Sequence, residues 1–177
     1  MRLASVVALF LAGSIAAQKA VPGNAPVPPV APPKYVPEDP SKYAAAAAAW
    51  FPVMDQSIET ALGDKEAKGV FAFKNPRDRA VEWKHLTGSC TCAMAVFLVG
   101  ERKYELRSKT KQLFEITGPA AEQAKVVDAI PIGPGEQGQV EVHVDTQGAK
   151  TNKIVSVDIH SNDAEVPMVR LQLRVGV

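Results

Sequence analysis

Gln137-Gly138-Gln139-Val140-Glu141-Val142-His143-Val144-Asp145 alternates valine with polar residues over its second half. Side chains two apart share one face of an extended chain, so this run is a strand with one apolar and one wet face. The same beat returns twice downstream, in Val155, Val157 and Ile159, then in Val169, Leu171, Leu173 and Val175. Thr146-Gln147-Gly148 and Ser161-Asn162-Asp163 separate the runs, and both are turn-forming clusters. Upstream, Gly133-Pro134-Gly135 is a further turn, Val126 to Ile132 reads as one strand, and Tyr104-Leu106 and Leu113-Ile116 read as shorter ones. Ala95 to Val99 is a continuous apolar stretch stopped by Gly100, and Val70 to Phe73 ends at Asn75-Pro76. Val81, Trp83 and His85 alternate with Glu82 and Lys84, which predicts that Trp83 faces the interior. Half-buried strands at this spacing, with no long helices between them, predict an all-β fold: an antiparallel β-sandwich over residues 68–177.

Ahead of the strands the composition is of another kind. Met1-Arg2 is a short positive start, Leu3 to Ile15 is apolar except for Ser5, Gly13 and Ser14, and Ala16-Ala17 supplies small residues for cleavage. That order predicts a signal peptide over residues 1–17 and an exported product, in the periplasm, the cell envelope or the medium. Ser14 stands where a lipoprotein would carry cysteine, so no lipid anchor is expected there. Residues 18–40 are rich in proline, including Pro28-Pro29 and Pro32-Pro33, and read as an extended linker that forms neither helix nor sheet. Residues 41–67 read as a helical collar. Asp39-Pro40-Ser41 initiates it, alanines run from Tyr43 to Trp50, Pro52 interrupts, and Asp55 to Leu62 forms a second short turn closed by Gly63. Trp50, Phe51 and Met54 are expected to pack this collar onto the sandwich.

The formal net charge is +1, with Lys and Arg scattered among Asp and Glu, so neither nucleic acid nor an anionic membrane is an expected partner. Arg107-Ser108-Lys109-Thr110-Lys111 is the densest basic run and reads as a solvated loop or edge strand. Stable membrane insertion after removal of the leader is not expected. The chain has no Gly-x-Ser-x-Gly elbow, no His-Glu-x-x-His and no phosphate-binding glycine loop. His85, His143 and His160 sit on candidate strands, as solvent-facing or satisfied side chains, and no enzymatic activity is expected.

The chemical content of the chain is concentrated in Ser89-Cys90-Thr91-Cys92, which holds both cysteines. Three fates are open to them: a local disulfide, a pair of packed free thiols, or a soft-metal site. In an extended strand Cα atoms two apart lie ~6.6–7.2 Å from each other, whereas disulfides prefer roughly 4.4–6.8 Å, so a Cys90–Cys92 bond requires a bend. With no third cysteine, an intramolecular disulfide is this one or none. Met94 continues the period, so Cys90, Cys92 and Met94 share a face; thiolate and thioether suit Cu(I), and His85 is close enough in sequence to join them. Two ligands on one strand do not close a site, and the paired CxxC spacing of structural zinc is absent. The expectation is no resident cofactor, with Cu(I) as the alternative.

Several of these landmarks resemble, in order, those of the exported bacterial family called domain of unknown function 1573. Gly69-Val70-Phe71-Ala72-Phe73-Lys74-Asn75 resembles its opening strand, Ser89-Cys90-Thr91-Cys92 its Ser-Cys-Gly-Cys segment, Pro134-Gly135-Glu136 its Pro-Gly-Glu turn, and Ser161-Asn162-Asp163 its closing hairpin. The resemblance implies an immunoglobulin-like sandwich, akin to periplasmic pilus chaperones and to domains of cilium-associated proteins, and no known enzymatic activity. Thr91 departs from the family's usual glycine, and the segment between Cys92 and Pro134 is longer, so Arg102 to Ile116 reads as an added hairpin. The functional expectation is a non-enzymatic module for protein interaction or envelope architecture, with an envelope or extracellular protein as its partner. The alternative is a soft-metal or redox protein built on Cys90 and Cys92.

Overall fold

Each run of alternating side chains becomes a strand because its apolar half finds an opposing sheet. The computed structural model describes residues 39–61, 63–118 and 123–176; the leader and all but the last two residues of the expected linker lie outside them. The strands are Asp55–Glu59 (β1), Glu66–Lys74 (β2), Val81–Gly88 (β3), Ala93–Val99 (β4), Arg102–Arg107 (β5), Gln112–Ile116 (β6), Ala124–Val127 (β7), Ala129–Ile132 (β8), Gln137–Asp145 (β9), Lys153–Ser161 (β10) and Met168–Gly176 (β11). They form a five-stranded sheet, β1-β11-β10-β3-β8, and a six-stranded sheet, β2-β9-β4-β5-β6-β7. Neighbours are antiparallel except β1, which runs parallel to β11. The groups β2-β9-β4 and β3-β10-β11 reproduce the B-E-D and C-F-G arrangement of an immunoglobulin-like sandwich. Its first strand has crossed over to lie beside the last.

Val140, Val142 and Val144 point inward from β9, opposite Val155, Val157 and Ile159 of β10 and Leu171, Leu173 and Val175 of β11, and all nine are buried. Between the sheets the rings form a seam. The Trp83 ring lies 4.7 Å from Phe73, 5.7 Å from Phe51, 5.9 Å from Trp50 and 6.2 Å from Phe97, centroid to centroid. Trp83 is therefore interior, as its alternation with Glu82 and Lys84 requires. The period does not carry on to His85. A bulge between the pairs Thr87–Asp158 and Lys84–His160 gives His85 a φ of 49° and exposes it, and Leu86 takes the inward place.

The helical collar is corrected by the structure. Helical backbone is confined to a 3-10 turn at Pro40–Tyr43 and one α-helical turn (α1) at Ala44–Ala47. Four alanines with little apolar face to bury do not repay helix nucleation. The segment expected as a second helical turn is instead β1, paired from Asp55–Gln172 through Glu59–Gly176. Tertiary pairing overrides the local preference here, and Gln56 adds to it. Its amide donates to the Val70 carbonyl at 2.6 Å and accepts from the Val70 N–H at 3.2 Å, capping the free edge of β2 as a strand would. The sandwich thus draws strands from ahead of residue 68, since β1 and the start of β2 precede it.

A second correction concerns Val126 to Ile132. The run breaks at Asp128 into β7 and β8, which belong to different sheets and tie them together at one side. Pro131 lies on β8 at the edge of its sheet, where its missing N–H costs no ladder bond. The hairpin read at Arg102 to Ile116 is present as β5 and β6, and it widens the second sheet beyond β4.

Because Trp83 touches rings from both sheets and from the segment ahead of β1, Trp83→Ala is expected to cost about 3–5 kcal/mol in denaturant unfolding. A loss under about 1 kcal/mol would contradict its place in the seam.

Candidate functional site

The sandwich has two ends with different chemistry. At one end the polar groups bind each other. Asn75 is buried, and its side-chain amide donates to the carbonyls of Arg79, Ile132 and Gly133 at 3.0, 3.2 and 2.8 Å while its oxygen accepts the Arg77 N–H at 2.9 Å. The Asn75 N–H in turn donates to the Glu136 carbonyl at 2.8 Å. The Glu136 carboxylate takes both the Gly133 N–H, at 2.7 Å, and the Arg102 guanidinium, at 2.7 and 2.8 Å. Burial works against its ionisation, but the Gly133 N–H and Arg102 prevail and hold the carboxyl below its ordinary range. Asp163 is buried in the β10–β11 turn beside Arg77 Nε at 2.8 Å and Arg79 at 3.4 Å. There too burial opposes the charge, and Arg77 with the Glu165 N–H outweighs it, so the carboxyl is again held low. The landmarks Asn75, Pro134-Gly135-Glu136 and Ser161-Asn162-Asp163 meet at this end, and their work is to close it.

The opposite end is open. Here the chain crosses from β3 to β4, and Cys90 and Cys92 are joined by a disulfide with a Cα–Cα distance of 5.1 Å. The bend that this distance demands is a turn in which the Ala93 N–H donates to the Cys90 carbonyl at 3.3 Å. The crossover is held by both sheets: Ser89 N–H donates to the Ser156 carbonyl, and Asp145 N–H donates to the Cys92 carbonyl, each at 2.9 Å. The Cys92 N–H lies 3.0 Å from Cys90 Sγ as its donor.

Beside the disulfide lies a cleft of about 600 Å³ whose lining includes Lys65, Glu66, Thr91, Cys92, Met94, Arg107, Lys109, His143 and Asp145. Strand register builds its floor. Met94 on β4 pairs with His143 on β9 to one side and with Arg107 on β5 to the other. The His143 ring faces carboxylates through both nitrogens: Nδ1 contacts Glu66, and Nε2 lies 3.2 Å from Glu141. Lys68, 2.7 Å from Glu141, holds that carboxyl below its ordinary range against the opposing effect of burial. Arg107 is drawn aside, 3.3 Å from Glu105 and 4.4 Å above the Phe114 ring. Lys65 and Lys109 are exposed and have no ion-pair partner among the described residues.

Of the residues singled out in the sequence, Cys92 and Met94 meet in the cleft, which Cys90 does not line, and both cysteines pack partly buried against the core. His85 does not join them; the bulge exposes it on the other sheet. His143 takes the position next to Met94 that sequence proximity had suggested for His85, and only the β4–β9 register reveals this. Among the described residues no group of three or more His, Cys, Asp and Glu is placed to hold a metal ion.

No protein-family model and no curated protein matches the chain. Solved structures that it resembles include a protein of unknown function from Porphyromonas gingivalis W83, at 14% identity and TM-score 0.47, covering 71% of this chain and 44% of that one. The chain therefore spans less than half the length of the Porphyromonas protein. Another is the ASH/PapD-like domain 7 of human CEP192, at 12% identity and TM-score 0.40 over 87% of this chain and 96% of that one. A third is the periplasmic chaperone SfaE, at 8% identity and TM-score 0.35 over 71% of this chain and 56% of that one. Nothing about activity follows from likenesses this remote.

The closed end carries a pH signature. Asp163 is held low in the folded protein, so its contribution is fully present above the unfolded carboxyl pKa of about 3.9 and is lost as pH falls through the lower folded value. Asp163→Asn is expected to cost about 1–3 kcal/mol in urea unfolding at neutral pH, with the difference from the parent protein narrowing below about pH 4. A difference that stays constant down to about pH 2 would contradict the pairing.

Proposed function

We propose that the chain is an exported, non-enzymatic β-sandwich module of the domain of unknown function 1573 type, which binds an envelope or extracellular protein through its disulfide end. The observation that carries this reading is the contrast between the two ends. Asn75, Arg77, Glu136 and Asp163 spend their bonding capacity on one another, whereas Lys65 and Lys109 stand unpaired among the described residues, beside the exposed tip at Thr91. Exposed charge of one sign steers a partner of the opposite sign towards the partly apolar floor beside it. The order of charge, apolar run and small residues at the N-terminus supports export, and among the described residues no helix is long and apolar enough to cross a membrane. The soft-metal reading gains less support. Cys92 and Met94 do share the cleft, but the neighbouring imidazole is engaged by carboxylates at both nitrogens.

Site-specific photocross-linking in the native compartment tests the reading, on protein whose intact mass shows a start near Ala17 or Gln18. A photoreactive residue at Thr91 is expected to capture a protein partner that one at exposed Asp78, near the other end, does not, and Lys65→Glu with Lys109→Glu should abolish the capture. Equal capture from both positions, or capture indifferent to the charge reversal, would contradict it.

A further inference from the structure

We propose that the cleft is a thiol–disulfide exchange site for small anionic thiols, in which Cys92 is the sulfur attacked and Cys90 departs as the thiolate. Two thiol sulfurs in a bond are not equivalent when the protein presents them differently, and here it does. Both are partly buried against the core, but Cys92 lines the cleft and Cys90 does not. An incoming thiolate therefore reaches Cys92 Sγ first. The Cys92 N–H, 3.0 Å from Cys90 Sγ, is already placed to stabilise negative charge on the sulfur that leaves. A better-stabilised leaving thiolate leaves faster.

In the first step the attacking thiolate forms a bond to Cys92 Sγ as the Cys92–Cys90 bond breaks, and the bonding pair departs on Cys90 Sγ. The products are a mixed disulfide on Cys92 and a thiolate at Cys90. A second molecule of the same thiol, as its thiolate, then attacks the outer sulfur of the mixed disulfide. That releases Cys92 as thiolate and the small molecule as its own disulfide. Two small thiols supply the two electrons that reduce the protein.

The charge preference comes from the walls. Lys65 and Lys109 line the cleft with no carboxylate paired to either among the described residues, and Arg107, engaged by Glu105, lines it too. Glu66 and Asp145 also line the cleft, Glu66 in contact with His143 and Asp145 accepting the Gln147 N–H at 2.9 Å, so the three cationic side chains of the lining outnumber its two carboxylates. A lining with an excess of cationic groups favours thiolates that carry a further negative charge over those that carry an ammonium group, and salt weakens the effect. This site chemistry is independent of protein docking at the same end, since it requires only a small molecule.

The test uses the oxidised native protein and three probe thiols of different charge: mercaptoethanesulfonate, mercaptoethanol and cysteamine, at matched thiolate concentrations and low ionic strength. After acid quench and alkylation, mass spectrometry follows reduction. The anionic probe is expected to react about fivefold faster than the cationic one, with the neutral probe between. The order should collapse at ~1 M salt and in a Lys65→Gln, Lys109→Gln variant whose urea midpoint matches the parent. Fragment ions broken at Thr91 should place the small-thiol adduct on Cys92 and the alkyl label on Cys90. Equal rates for all three probes, an adduct on Cys90, or reduction seen only in denaturant would overturn the proposal.

Discussion

Trp83 projects from β3 into the space between the sheets, and its ring meets Phe73 of β2, Phe97 of β4, and Trp50 and Phe51 from the stretch ahead of β1. One side chain thus joins the five-stranded sheet, the six-stranded sheet and the entering chain. Aromatic rings bury large areas, and tilted contacts at these separations add to the area term. Much else follows from that seam. It fixes where Pro52 turns the chain, delivers Asp55 to the edge of β11, and brings Gln56 over the open edge of β2. An edge that would otherwise present free N–H and C=O groups is capped in passing.

The division of labour between the two ends is a matter of polar bookkeeping. Buried polar groups are costly unless satisfied, and at the closed end Asn75 and Asp163 are satisfied through backbone and side chain alike. At the other end the crossover is held by backbone bonds to both sheets, which leaves the side chains of Lys65, Thr91 and Lys109 unconstrained by the fold. A rigid backbone keeps the ordering cost of binding to the side chains alone, about 0.5–1.5 kcal/mol for each lysine immobilised.

Much of this was legible in the sequence, and the rest was not for identifiable reasons. The strands with strict alternation, β9 to β11, were plain because one side of each faces water and the other a core. The interior place of Trp83 followed from its charged neighbours. Asp55–Glu59 misled because strand formation there depends on Gln172–Gly176, more than a hundred residues away in sequence, and no local pattern reports such a partner. Val126 to Ile132 misled because a single apolar run can serve two sheets in turn, with the change made at Asp128. At the cleft, Cys92 and Met94 were visible as a period-two pair, but His143, Lys65 and Lys109 arrive by register and by turns. The one signal within reach for His143 was its outward position among Val142 and Val144.

The central claim is that the sandwich stands on its seam and its Asn75 end, and that the disulfide is carried by the fold and does not brace it. A bond closing so short a loop removes little chain entropy, about 1.5 kcal/mol by the loop-closure relation. Denaturant unfolding, followed by the fluorescence of the two buried tryptophans, compares the Cys90→Ser, Cys92→Ser double variant with Asn75→Ala. The account predicts that the double variant unfolds cooperatively within about 1.5 kcal/mol of the parent, whereas Asn75→Ala, which removes three bonds donated to carbonyls and one accepted from the Arg77 N–H, loses distinctly more. Loss of cooperative unfolding in the double variant, with Asn75→Ala near the parent, would contradict it.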